Sequence, residues 1–477
     1  MISVFEEADR QANPSSEFWQ ECNFSNISDL QNHTVFEGEL EILKNQNYLK
    51  AKKFVLTTTS LYALSKSNQI KKYAFIACKT VQPFTEEKGA VKRFGFRLGK
   101  GSIFYDFYAQ TNKELDLWLN FLNSICILSD IEEDYVIIKK IGKGNYAKVY
   151  LVQDVDNYEE FALKSISKKK LLNSTRGVSA VVNEINIMKK LHHPNLVAIH
   201  RVYESEKHVN LILDYVKGGD LFQRLLKKVT FSEYNACCFI KNLLEALSYM
   251  HELKIVHRDL KPENILMMSS EDDTKIKLVD FGLACEIKNN GFLKCGSPGY
   301  VAPEILRNMP YGTKIDVFSA GVILYIILCG RVPFAGNAQQ DVLQQNKQCK
   351  IYFKPKHWKN ISKAGIDLVL KMTDPNPGTR ISAKEALEHP WIRKQQPSSA
   401  SFDALSQSQP INLNSDGLIS HAMMERINNT TRGVTNYLPL PVPFVGTNTE
   451  SREEIPASTS RAFQLLLKLR EDDTTRN

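Results

Sequence analysis

The octet His257-Arg258-Asp259-Leu260-Lys261-Pro262-Glu263-Asn264, with Asp280-Phe281-Gly282 downstream, constrains this chain more than any other feature. It gathers a carboxylate, an ammonium and an amide in one short run, and Asp280 adds a second carboxylate. Phosphoryl transfer from a metal–nucleotide complex needs this set: a carboxylate to orient a hydroxyl, a cation for the phosphate, and an Asn/Asp pair for a divalent metal. His-Arg-Asp alone is a chance-level match. The two motifs together at this spacing are not.

The same chemistry needs a nucleotide cradle upstream. Ile141–Tyr150 reads IGKGNYAKVY, so the candidate cradle residues are Ile141, Gly142, Lys143, Gly144, Asn145, Tyr146 and Ala147. Gly142 and Gly144 let backbone amides approach phosphates, because no side chain intervenes. A glycine pair by itself is more often an ordinary hairpin turn. Val149 follows at a position that can cover the base. In Phe161-Ala162-Leu163-Lys164, alternation puts Lys164 on the same side of a strand as Ala162. An ammonium there can hold the α- and β-phosphates, and a lysine among apolar residues needs a partner. Glu184, on the helical pattern Val181, Ile185, Met188 and Leu191, can supply it. Leu211–Leu221, LILDYVKGGDL, reads as a strand running into a linker. Backbone groups around Asp214 and Val216 would meet the adenine edge, Leu213 would back the pocket, and Asp220 would reach the ribose or a substrate cation.

IGKGNYAKVY, FALK, Glu184, HRDLKPEN, DFG and Ala302-Pro303-Glu304 occur in the order and spacing of protein kinases, and residues 135–392 resemble that family. The resemblance implies a bilobal α+β fold that uses ATP and Mg2+. It implies that Asp259 orients the substrate hydroxyl and accepts its proton, that Lys261 offsets charge on the transferring group, and that Asn264 and Asp280 hold magnesium. It also implies that Glu304 pairs with Arg380 and that Asp316 braces the catalytic loop. Two departures are visible: Ala147 replaces the family's third glycine, and Phe318 stands where tryptophan is usual. Lys261 two residues after Asp259 is the serine/threonine pattern, and Leu283 resembles members that prefer serine. KCGSPGYVAPE, GGDLF and EALEHPWI are similar to the calcium/calmodulin-dependent kinase group. That likeness implies protein substrates with a basic residue, preferably Arg, three positions upstream, held by Asp220 and Glu263. Between Gly282 and Glu304 the only hydroxyls are Ser297 and Tyr300. Ser297 sits where the family uses a hydroxyl to contact Asp259 and Lys261. A structural role is therefore expected for it, and activation without activation-loop phosphorylation.

Residues 33–128 have a different pattern. Period-two segments at Val35–Leu43, Ala51–Leu56, Ser60–Ser65, Lys72–Ala77, Arg93–Leu98 and Ser102–Ala109 predict strands. Asn112–Leu128 then switches to a helical period, with Leu115, Trp118, Leu119, Leu122 and Ile125 on one face. Gly38-Glu39-Leu40, Lys53-Phe54-Val55-Leu56 and Trp118 resemble a pleckstrin-homology domain, which implies a small seven-stranded β-barrel capped by its C-terminal helix. From 36 to 128 there are 14 Lys/Arg against 8 Asp/Glu, a balance of +6. Lys44, Lys50, Lys52 and Lys53 cluster near the first two strands, where that family holds phosphoinositide head groups. Anionic membranes and protein ligands both remain open for this region. The acidic linker Ser129–Asp134, SDIEED, is too short to span far, so the two domains are expected to touch.

Residues 1–32 read as a flexible polar segment and 393–477 as a mostly disordered tail, in which nine Lys/Arg balance nine Asp/Glu. Arg461–Arg470, RAFQLLLKLR, could form a short basic amphipathic helix. Nothing in the tail decides for calmodulin, and no stretch matches a calcium-binding EF-hand loop. The net charge of +8 is mild and does not point to nucleic acid. Nine scattered cysteines suit reduced thiols in a cytoplasmic protein. The longest apolar run, VFSAGVILYIILC, is shorter than the ~20 residues that span a bilayer, so it predicts a buried helix. The alternatives to an active kinase are a catalytically dead pseudokinase scaffold and a membrane adaptor. Intact Lys164, Glu184, Asp259, Asn264 and Asp280 weigh against the scaffold.

Overall fold

The computed structural model describes residues 3–5, 18–21, 30, 34–44, 48–88, 91–100, 103–144, 147–174, 177–287 and 294–394. The RAFQLLLKLR segment lies outside them. They fall into two compact units, one from 1–141, 146–217 and 277–286, the other from 142–145, 218–276 and 287–477.

The first unit is built on strands β1 (Gln20–Glu21), β2 (Thr34–Lys44), β3 (Tyr48–Thr57), β4 (Ser60–Leu64), β5 (Ile70–Phe75), β6 (Thr80–Lys88), β7 (Val91–Lys100) and β8 (Ile103–Ala109). Helix α1 (Asn112–Ile125) follows, then β9 (Ile127–Leu128), α2 (Ile131–Asp134), β10 (Tyr135–Lys143), β11 (Ala147–Asp154), β12 (Glu160–Ser167), α3 (Lys168–Leu172), α4 (Gly177–Lys190), β13 (Ile199–Glu204) and β14 (His208–Asp214). Their strand order is β1-β5-β4-β3-β2-β8-β7-β6-β9-β13-β14-β12-β11-β10. The expected closed barrel is therefore not found. β5 ends against β1, and β6 meets β9, so the sheet stays open at the place where a barrel would join. The two-residue strand β9 lies between β6 and β13. Ile127 pairs in parallel with Thr80 of β6 on one side and with Val202 of β13 on the other.

The helix α1 buries the face expected of it: Leu115, Trp118, Leu122 and Ile125 are inside, with Leu119 partly buried beside them. Trp118 is fully buried and meets Phe36 edge-on at 4.8 Å between ring centroids, while Phe96 and Phe107 stack at 5.2 Å. Thr111 caps the helix by accepting the Glu114 amide. The helix stops at Ile125, short of the predicted Leu128, because Ile127 and Leu128 are taken by β9. Strand β6, TVQPFTEEK, had no sequence signal: Pro83 and the Glu86-Glu87 pair break its alternation. The linker is not slack. Asp134 accepts from Arg201 Nη1 at 3.2 Å and from the Tyr203 hydroxyl.

The second unit is mostly helical. It contains α5 (Leu221–Lys228), α6 (Glu233–Glu252), α7 (Pro303–Leu306) and α8 (Lys314–Cys329). The apolar run is helix α8, buried from Ile315 to Cys329, and it packs on α6. Among the described residues no helix is long and apolar enough to cross a membrane. Removing the Trp118 side chain would leave a large cavity. Trp118→Ala is expected to lower unfolding stability by about 3–5 kcal/mol. Chemical denaturation followed by the near-UV signal checks it, and a change under about 1 kcal/mol would contradict this packing.

Candidate active site

In the first unit, β11 and β12 are in register so that Val149 faces Lys164, and β12 and β14 so that Lys164 faces Leu211 and Ala162 faces Leu213. Directly opposed residues share a sheet face, so Val149, Ala162, Lys164 and Leu213 lie on one side. Lys164 Nζ donates to Glu184 Oε1 at 2.6 Å and lies 3.6 Å from Asp280 Oδ1. Burial alone would lower the lysine's pKa. The two carboxylates outweigh it and hold the ammonium well above its ordinary value. Glu184 comes from α4, whose buried face includes Val181, Ile185 and Met188 as the periodicity predicts. Asn183 Nδ2, one residue earlier, donates to the Ala284 carbonyl at 2.8 Å, just beyond the Asp280-Phe281-Gly282 turn. Asp280 itself has φ 64, a left-handed conformation that a non-glycine residue adopts at a cost.

Of the cradle, Ile141, Gly142 and Lys143 end β10, Gly144 follows, and Ala147 opens β11; Gly142 is buried and Lys143 exposed. Asn145 and Tyr146 lie outside the described residues. Asp214 closes β14, and its side chain is already engaged. It accepts from the Ala198 amide at 3.0 Å and Lys277 Nζ at 2.8 Å, and pairs with His200 Nε2 at 2.8 Å. Burial opposes ionisation here, but His200 and Lys277 outweigh it and drive the carboxyl far below its usual range. Only the backbone of Asp214 is thus available for the role expected of it. Val216 is buried two residues on. Nothing local in the sequence marks the His200 and Lys277 partners.

In the second unit, the Asp259 carboxylate is the centre of a buried cluster. Lys261 Nζ donates to Oδ2 at 2.7 Å, Asn264 Nδ2 to Oδ2 at 3.2 Å, and Ser297 Oγ to Oδ1 at 2.6 Å. Lys261 also reaches Ser297 Oγ at 3.2 Å, and Asn264 Nδ2 reaches the Asp259 carbonyl at 2.8 Å. Because the amide nitrogen of Asn264 is spent on Asp259, its Oδ1 is the atom suited to a metal. Asp316, at the start of α8, accepts the His257 amide at 2.9 Å and the Arg258 amide at 3.0 Å. It thereby fixes Arg258 in the left-handed region, at φ 67. Gly296, with φ 121, turns the chain into Ser297; a Cβ there would press on Val301 and the Arg258 carbonyl.

The outer support is an ion pair with no exposure. Arg380 Nη1 and Nη2 grip Glu304 at 2.6 and 2.9 Å, Nε donates to the Asp374 carbonyl at 2.8 Å, and the guanidinium lies 5.0 Å from the Phe318 ring centroid. The phenylalanine that departs from the usual tryptophan therefore still gives the cation an aromatic face. Glu263 is different: both carboxylate oxygens are buried with no hydrogen-bond partner. Burial pushes its pKa up, only partly offset by Lys261. The nearby Asp220 caps α5 by accepting the Gln223 amide at 2.7 Å.

The basic cluster divides between two faces. Lys50 and Lys52 alternate with Lys53, which is 3.4 Å from Glu37. Lys44 ends β2 opposite Tyr48.

Comparison with known proteins places the family. Residues 135–392, just over half of the chain, match the protein kinase domain, and the chain belongs to the protein kinase family. It is 43% identical over 269 residues to human serine/threonine-protein kinase DCLK3, covering 56% of this chain and 41% of that protein. It is 43% identical over 265 residues to calcium-dependent protein kinase 4 of Arabidopsis thaliana, covering 55% and 52%. With rat calcium/calmodulin-dependent protein kinase type 1B the identity is 40% over 266 residues, covering 55% and 76%. The chain thus spans only about half the length of several relatives it matches, and each likeness is confined to little more than half of this chain.

Arg380→Met would strand Glu304 as a buried, uncompensated charge. It is expected to cost about 3–5 kcal/mol of stability, and adding Glu304→Gln should recover part of that loss. Denaturant titration of the two variants checks this, and equal stability of Arg380→Met and wild type would contradict it.

Proposed function

We propose that the chain is an ATP-dependent serine/threonine protein kinase, transferring the γ-phosphoryl group to protein hydroxyls. The observation that carries this reading is the Asp259 carboxylate held by Lys261, Asn264 and Ser297 in one buried cluster. A carboxylate fixed in this way can orient a substrate hydroxyl and take its proton as the new P–O bond forms. Lys261 meets the charge that develops on the transferring group. Lys164 holds the α- and β-phosphates, with Glu184 fixing its position. The backbone at Gly142 and Gly144 covers the phosphates, while Ile141, Val149 and Ala162 line the base and Asp214 and Val216 meet its edge through backbone groups.

Asn264 Oδ1 and the Asp280 carboxylate are hard oxygen donors and fit magnesium. Among the described residues no group of three or more His, Cys, Asp or Glu side chains could hold a metal ion. When bound, magnesium neutralises phosphate charge.

Glu263 supports a basic substrate. A buried carboxylate without a partner is costly unless something cationic reaches it. An arginine upstream of the phosphorylated hydroxyl, shared with Asp220, would satisfy it. The N-terminal sheet with its closing helix is read as a pleckstrin-homology-like module. Lys50 and Lys52, on the same side of β3, are its candidate contacts to anionic phosphoinositides.

On a basic serine peptide, Asp259→Asn is expected to lower kcat at least about a thousandfold, the scale of a lost positioning base. Glu263→Gln should instead raise KM for a peptide with Arg three residues upstream and leave an alanine analogue unaffected. Steady-state phosphate incorporation reads both; equal rates for wild type and Asp259→Asn would remove the catalytic claim. Phosphatase-treated enzyme should keep its activity, because Ser297 is buried against Asp259 and Lys261. Loss on treatment, with recovery when Ser297 is phosphorylated, would refute that part.

A further inference from the structure

Lys189 is buried, with 5% of its surface exposed, and among the described residues its ammonium meets backbone carbonyls rather than a carboxylate. Its ammonium donates to the Ala77 carbonyl at 3.0 Å and to the Ile125 carbonyl. Ile125 is the last residue of α1, a helix with no basic residue in its final turn. The closing carbonyls of a helix lack intrahelical partners and carry the negative end of its dipole. Lys189 therefore caps α1 from outside, reaching across from α4. Burial pushes its pKa down to about 8, and the thiols of Cys126 and Cys78 offset this only in part.

The cap sits on the same helix as Glu184. Five residues separate them, about 7.5 Å along the axis and about 140° around it. Glu184 thus faces Lys164 while Lys189 faces the N-terminal region. Other contacts repeat the attachment. Val4 and Phe5 are buried with Val181, Ile185 and Ile127. Cys78 Sγ lies 3.8 Å from Asn186 Oδ1. Glu204 accepts from the Val4 amide at 2.6 Å and pairs with buried Lys168 at 2.9 Å.

We propose that Lys189 is a positioning residue through which the N-terminal region holds α4 so that Glu184 reaches Lys164. The proposal rests on the kinase reading above for its consequence, though not for its mechanics. Undoing the cap lets α4 shift, lengthens the Lys164–Glu184 contact, and slows turnover without weakening peptide binding.

The test uses the full chain. Lys189→Met keeps the length and apolar volume but removes the donor; Lys189→Gln keeps one donor group and should fall between Met and wild type. For Lys189→Met, kcat is expected to drop about tenfold with peptide KM within about twofold. Asn186→Cys added to either variant, oxidised so that position 186 links to Cys78, should restore most of the lost kcat, and reductant should abolish the rescue. Because the link also adds stability, kcat is compared well below each variant's unfolding transition, where a cap that merely added stability would leave kcat of Lys189→Met unchanged. Hydrogen exchange of α4 amides gives a readout independent of activity: it should speed up in Lys189→Met and not in the exposed-site control Lys170→Met. Unchanged exchange, or a kcat loss that the crosslink leaves in place, would overturn the proposal. Faster exchange in a chain whose wild type transfers no phosphate would instead overturn the kinase reading and leave the mechanical coupling standing.

Discussion

The contact on which the rest depends is the ammonium of Lys164, set 2.6 Å from Glu184 and 3.6 Å from Asp280. A lysine in a largely apolar strand face needs compensation, and one carboxylate comes from a helix, the other from a strained turn. Three separate segments must be in place for the charge to be tolerated. The apolar face of α4, the Asn183 bond to Ala284 and the left-handed Asp280 all serve that arrangement. A shift in any of them leaves a partly buried charge short of a partner.

The second unit solves a parallel problem with opposite sign. There a carboxylate, Asp259, is buried and made tolerable by an ammonium, an amide and a hydroxyl. The backbone leading to it is held by Asp316 rather than by secondary structure, which permits the left-handed Arg258. Glu263 is the contrast that makes the pattern informative: the residue is half-buried, yet both carboxylate oxygens are shielded and have no hydrogen-bond partner. Where the chain needs a fixed charge it supplies every contact. Where it leaves a carboxylate bare, a cation from elsewhere is the physical complement.

Much of the candidate site was legible in the sequence because its residues carry their chemistry in short motifs. Lys164, Glu184, Asp259, Lys261, Ser297, Glu304 and Arg380 are brought to the partners that the motifs implied. The illegible parts share a cause: they rest on partners distant in the chain with no motif of their own. Strand β6 lacks alternation because Pro83 and two glutamates occupy it. Strand β9 is made of two residues, Ile127 and Leu128, whose sequence reads equally well as the end of a helix. Lys189 had one signal, its register four residues beyond Ile185 and eight beyond Val181 on an apolar face. A lysine there is anomalous, but only the folded chain shows that helix α1 ends against it.

The most direct measurement of the central claim is transfer of γ-labelled phosphate from Mg-ATP to a protein mixture, with modified residues identified by mass spectrometry. The account predicts label on serine and threonine with arginine enriched three positions upstream, and none above background when Lys164→Met replaces wild type. Equal labelling by the two proteins, or no labelling by wild type under any magnesium concentration, would contradict it.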